Sequence, residues 1–126
     1  MNFPDNLKYT NDHEWIRVEG EFGWVGITEY AQGELGDVVY VELPAAGAKI
    51  QQGKSFGTIE AVKAVSDLFA PVSGEIVEIN KDLQASPEAI NKDPYGSGWM
   101  VKIRIGNSGE LASLLDVGAY KNIVAK

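Results

Sequence analysis

The chain contains no cysteine and a single histidine, His13. The first absence excludes disulfides, thiolate metal sites and thiol nucleophiles, so any redox chemistry must come from an attached group. The second excludes a multi-histidine metal site, and no serine stands out as a triad partner for His13, which is read as a local brace of the N-terminal strand. Basic clusters are missing too: the 11 Lys and Arg residues are scattered singly against 18 Asp and Glu, for a net charge of −7. Such a field repels phosphate backbones and anionic lipid, which argues against nucleic-acid and membrane partners. No apolar run approaches the length of a membrane span, and the opening Met1-Asn2-Phe3-Pro4-Asp5 has neither a basic nor an apolar leader region. A cytoplasmic protein is expected.

What is present fits one compact unit. A chain of 126 residues with 44% hydrophobic and 23% charged residues can build a single core without staples, so one domain over 1–126 is expected. The 14 glycines and 5 prolines cut the sequence into short stretches rich in β-branched and aromatic residues, the signature of many short strands. Strands are predicted at Glu14–Glu19, Phe22–Ile27, Asp37–Glu42, Gly57–Ala61, Val65–Ala70, Gly74–Ile79 and Trp99–Ile105. Between Gly57 and Ile79 the alternation is unclean, which suggests burial on both faces or barrel-like curling. Thr28 can cap a short helix through Leu35 with Gly36 as its stop, and Ser86-Pro87-Glu88 reads as a second helix start. A C-terminal helical region is expected over about 108–124, broken near Gly118. Trp15, Trp24 and Trp99 read as core anchors. Gly53-Lys54-Ser55 is not a phosphate loop, because Ala48 stands where the earlier glycine belongs.

One segment is ambiguous on physical grounds. From Phe56 to Phe69 the apolar residues Phe56, Ile59, Val62, Val65, Leu68 and Phe69 recur mostly every third position, which scores as an amphipathic helix. The competing reading is a hairpin turning at Val62-Lys63. That turn lacks the Asn-Gly or Asp-Gly pair that a two-residue loop favours, so periodicity alone does not select it.

The segment from Gly53 to Asn80 closely resembles the lipoyl-attachment stretch of glycine cleavage H proteins. It carries Glu60-Ala61-Val62-Lys63-Ala64, then Ser66-Asp67, then Ala70-Pro71-Val72-Ser73-Gly74-Glu75 and Asn80. Further matches include His13-Glu14-Trp15, Gly26-Ile27-Thr28, Tyr30-Ala31-Gln32, Leu35-Gly36-Asp37, Val41-Glu42-Leu43-Pro44, Pro94-Tyr95 and Gly98-Trp99-Met100. The resemblance implies a mainly β fold, a flattened barrel or sandwich of two antiparallel sheets (lipoyl-domain-like, barrel-sandwich hybrid) with short peripheral and C-terminal helices. It also selects the hairpin, with the attachment element over about 55–80 and Lys63 at its tip.

By the same resemblance, Lys63 carries lipoate as an amide, and the chain is a non-catalytic carrier. An isolated lysine is ordinarily only a solvated surface residue. A deprotonated ε-amine can, however, attack an activated carboxylate and mount the product on a flexible four-carbon stem. The implied partners are a lipoate ligase or lipoyltransferase, the pyridoxal-phosphate glycine decarboxylase, the tetrahydrofolate-dependent aminomethyltransferase and dihydrolipoamide dehydrogenase. Glu14 and Asp67 match acidic positions that hold the aminomethyl amine in a cleft, a task that suits a carboxylate facing a cation. Glu60, Val62 and Ala64 are candidates for recognition by the lipoylating enzyme or another partner. Ala61 stands where the family commonly has serine, and Asp12 also departs from the pattern.

Other carriers compete with this reading. Lipoyl domains of 2-oxo acid dehydrogenases place Asp before the lysine and biotinyl domains flank it with Met, whereas Val62 and Ala64 flank it here. An H-like protein that relays lipoyl groups to other enzymes would share the same attachment site. A small hydrolase or binding protein using Glu14, Asp37 or Asp67 lacks any residue set that fixes a nucleophile or an oxyanion site.

Overall fold

The computed structural model describes residues 1–125. Nine strands form two antiparallel sheets: β1 (Lys8–Tyr9), β2 (Glu14–Glu19), β3 (Phe22–Ile27), β4 (Val38–Glu42), β5 (Lys49–Ile50), β6 (Ser55–Ala61), β7 (Val65–Phe69), β8 (Gly74–Ile79) and β9 (Val101–Ile105). The larger sheet runs β1-β2-β3-β9-β8-β5 and the smaller β4-β6-β7, and neither closes on itself. The architecture is therefore the two-sheet sandwich of the expected pair, not a closed barrel. The attachment element expected over about 55–80 divides: β6 and β7 form the hairpin, while β8 crosses to the larger sheet.

Alternation explains how the sheets face each other. Ile16, Val25, Ile76, Val101 and Ile103 from the larger sheet meet Val41, Ile59 and Leu68 from the smaller in one buried cluster. Each such side chain contributes roughly 1.5–3 kcal/mol on burial. The opposite face of β1–β3 holds a second cluster of Leu7, Tyr9, Trp15 and Tyr120. Of the three tryptophans only Trp15 is fully buried. Trp24 is half-buried on the outer face, with the Arg17 guanidinium and Lys102 Nζ each 4.8 Å from its ring. That correction follows from β-pairing, which sets Arg17 and Lys102 directly opposite Trp24 on either side.

Helices pack at the periphery. In α1 (Glu29–Leu35) the Thr28 hydroxyl accepts from Ala31 N–H and Gly36 ends the helix, as the capping residues predict. Ser86 does not cap a helix through its side chain; it closes a helix absent from the sequence reading, α2 (Asp82–Ala85). The next helix, α3 (Ala89–Lys92), follows Glu88 without a side-chain cap. The C-terminal region splits into a 3-10 segment (Ser108–Ser113) and α4 (Val117–Val124), the latter capped by Asp116. No helix among the described residues is long and apolar enough to cross a membrane.

Candidate functional site

The turn between β6 and β7 places Lys63 in the open. Val62 is 72% exposed and Val65 69% exposed, and Lys63 between them is also exposed. Among the described residues the salt bridges are Arg17–Glu19 and Arg104–Glu21, so the Lys63 ammonium has no carboxylate partner there. No residue of the tip has positive φ, so it is not the Asn-Gly type of loop. Across the turn Ala61 N–H donates to Ala64 O at 2.9 Å, and two further bonds come from elsewhere in the chain: Val62 N–H to Asp37 O at 2.9 Å and Lys63 N–H to Leu35 O at 3.3 Å. The corner between α1 and β4 thus holds the tip.

Beside this corner, the start of β2, one flank of α1 and edge strand β7 enclose a cleft of about 260 Å³, which brings together Glu14, Asp67, Asp12, His13, Tyr30 and Glu34. At ~30 Å³ per water this holds some eight or nine waters, enough for a small organic group. Glu14 sits at its base, 2% exposed. Thr10 Oγ1 donates to Glu14 Oε1 at 2.7 Å and Phe69 N–H donates to Oε2 at 3.2 Å. Among the described residues no cation accompanies it, and burial pushes its carboxyl up to about 8, against the lowering effect of those two hydrogen bonds. Asp67, in contrast, is exposed at the mouth. Glu60 lies on the hairpin opposite Val65, and Ala64 is exposed beside Lys63.

His13 has a part the sequence did not reveal. It is the one described non-glycine residue with positive φ, at 70°. Its Nδ1 lies 2.9 Å from the Tyr120 hydroxyl of α4, which in turn lies 2.7 Å from Thr28 Oγ1. Its ring centroid is 4.9 Å from that of Tyr30. Thr28 Oγ1 accepts from Ala31 N–H and still has a proton and a lone pair for Tyr120, so the three side chains form one hydrogen-bonded relay whichever hydroxyl donates. Burial lowers the His13 pKa, which favours the neutral imidazole. This brace reaches across most of the chain and is not local to the N-terminal strand. No spacing rule links His13 with Tyr120.

Fold and site together define a two-sheet β protein that presents a lysine on a hairpin tip beside an acid-lined cleft. A family model described as glycine cleavage H-protein matches residues 7–126. The chain is 56% identical over 124 residues to the glycine cleavage system H protein of Bacteroides fragilis, covering 98% of each. It is 55% identical to that of Chlorobium limicola, with 100% of both chains covered. The crystal structure of a glycine cleavage system H protein from Mycobacterium marinum superimposes with a TM-score of 0.90 at 40% identity, over 98% of this chain and 100% of that one. The chain belongs to the glycine cleavage H-protein family.

Proposed function

We propose that the whole chain works as a single carrier domain in the cytoplasm, bearing lipoate in amide linkage on Lys63. In this reading it is not itself an enzyme. It takes the aminomethyl group of glycine at the pyridoxal-phosphate glycine decarboxylase, delivers it to the tetrahydrofolate-dependent aminomethyltransferase, and is reoxidised by dihydrolipoamide dehydrogenase. A lipoate ligase or lipoyltransferase loads it. Lipoate supplies, when bound, a disulfide that opens to accept the cargo and later closes, chemistry that a chain without cysteine lacks.

The observation that carries the reading is the placement of an exposed lysine, without a carboxylate partner among the described residues, on a tip held by Leu35 and Asp37, where Leu35 also lines a cleft with a buried carboxyl at its base. The tip gives the stem access to several enzymes in turn. Glu60, Val62 and Ala64 present the flanking surface that the loading enzyme reads. Inside the cleft, Glu14 and Asp67 hold the cationic amine of the cargo by charge-assisted hydrogen bonds, and the enclosing walls exclude water.

Incubation with a lipoate ligase followed by intact-mass measurement tests the proposal. A single lipoyl-sized increment is expected on the native chain and none on Lys63→Arg. An increment that persists in Lys63→Arg, or none on the native chain, overturns it.

A further inference from the structure

We propose that Gly36 is a positioning residue for the carrier arm: its bare α-carbon is the floor on which the Lys63 stem lies, and it aims that stem along α1 toward the cleft. The inference rests on the reading that Lys63 bears the arm. Two independent observations on Gly36 converge.

The first is backbone conformation. Gly36 has φ 81° and ψ −159°, a region open to glycine and costly for any residue with a β-carbon. A helix can be stopped by glycine or asparagine in the ordinary left-handed conformation, so ending α1 does not by itself demand this corner. The corner does something further. It turns the Leu35 and Asp37 carbonyls toward the tip, where they accept from Lys63 N–H and Val62 N–H at 3.3 and 2.9 Å.

The second is contact. A β-carbon built on Gly36 would lie 3.3 Å from Lys63 Cγ and 3.4 Å from both Cδ and Cε. Three successive methylenes of the stem therefore run over one α-carbon. The Cγ contact is tighter than ordinary packing and the other two stand at its near limit, so a β-carbon at 36 displaces the stem by a few tenths of an ångström. Leu35, Glu34, Ala31 and Tyr30, which line the cleft, lie on the helix that ends at this glycine. At ~1.5 Å per residue, Gly36 to Tyr30 is about 9 Å. A stem resting on Gly36 thus starts at the near end of the wall that leads to Glu14. Gly33, two residues into the helix from its end, has nothing within 4 Å of a built β-carbon and supplies a matched control.

Two measurements test this. In the lipoylated and reduced protein, arm thiols are alkylated with iodoacetamide and followed by intact mass, with urea unfolding run alongside to report folding. Gly36→Ala is expected to accept lipoate to the native extent while its reduced arm alkylates severalfold faster, because the added methyl at a corner of φ 81° shifts the stem from its seat and opens the shelter. Gly33→Ala is expected to alkylate at the native rate. A folded Gly36→Ala with the native alkylation rate, or an equal rise in Gly33→Ala, overturns the proposal. The second measurement needs no variant: NOEs between the Gly36 α-protons and the Lys63 γ and δ methylenes are expected in both unmodified and lipoylated native protein. Their absence from either overturns the proposal, and they decide alone should Gly36→Ala not fold. A chain that accepts no lipoate defeats the functional reading, while the unmodified spectrum still reports separately on the Gly36 contact.

Discussion

Replacing Glu14 by glutamine tests the electrostatic core of the cleft. In the unfolded chain Glu14 ionises near its ordinary 4.5, whereas in the folded chain burial holds its proton up to about 8. Between those values the folded state binds one proton more than the unfolded state, so stability must fall as pH rises. The slope is about 1.4 kcal/mol per pH unit, and with rounding at both ends the loss between pH 5 and pH 8 is roughly 3–4 kcal/mol. Asp12, His13, Glu34 and Asp67 also line the cleft. Subtracting the Glu14→Gln variant removes their contribution, because the variant keeps every group but one.

The variant has its own cost, which does not depend on pH. Each carboxyl oxygen of Glu14 accepts one hydrogen bond, from Thr10 Oγ1 and from Phe69 N–H. A glutamine has only one acceptor oxygen, so its amide group must face one of those donors, at about 1–3 kcal/mol. A protonated Glu14 avoids this conflict, since its hydroxyl oxygen can accept while its proton points into the cleft. Native protein is therefore expected to be the more stable at pH 5 and the less stable at pH 8. Urea unfolding at four pH values measures the difference. A difference that stays flat with pH refutes the buried, unpaired carboxyl.

Loading should invert the role of that carboxyl. An amine entering the cleft as a cation supplies the counter-charge Glu14 lacks, so Glu14→Ala and Asp67→Asn are each expected to shorten the lifetime of the loaded carrier by about tenfold or more, followed as ammonia release. Gly74→Ala and Gly57→Ala drive a β-carbon into Arg104 O and Glu42 O respectively, where backbone faces backbone. Each should cost about 3 kcal/mol or more in thermal unfolding, whereas Gly33→Ala should gain about 0.5–1 kcal/mol. Thr28→Ala removes both the α1 cap and the partner of Tyr120 and is expected to cost about 1–2 kcal/mol, with Tyr120→Phe losing part of the same amount. Additive losses in the double variant would show that the two residues do not share one network.

How much of this was legible in the sequence depends on how far apart the interacting groups lie. The strands from Glu14 to Ile27 and the helix between Thr28 and Gly36 declare themselves because alternation and capping are local. The two-residue strands β1 and β5 are too short to carry any period, and they exist only by pairing with β2 and β8. The hairpin misleads for a definite reason. Phe56 and Ile59 are both buried although three residues apart, which an unbroken strand forbids. A register shift between Ser55 and Gly57 inserts Phe56 as an extra residue and returns it to the core face, so a bulge imitates the period of a helix. Val62 and Val65 continue that false period, yet both are exposed at the tip.

The same distance rule separates the site residues. Lys63 could be found only through the motif around it, because its turn lacks the residues of a standard two-residue loop and is held by the carbonyls of Leu35 and Asp37 as well as by the Ala61–Ala64 bond across it. Glu14 and Asp67 come together across the gap between the two sheets, and nothing in their spacing shows that one would be buried and the other exposed. His13 and Tyr120 meet from opposite ends of the chain. Gly36 is the most instructive case. As a helix stop it was plain from its neighbours, and that local explanation is sufficient enough to hide a second one: the conformation that ends α1 also presents a bare α-carbon to the lysine at the hairpin tip. A residue already accounted for by local rules can still be held in place by a partner those rules do not see.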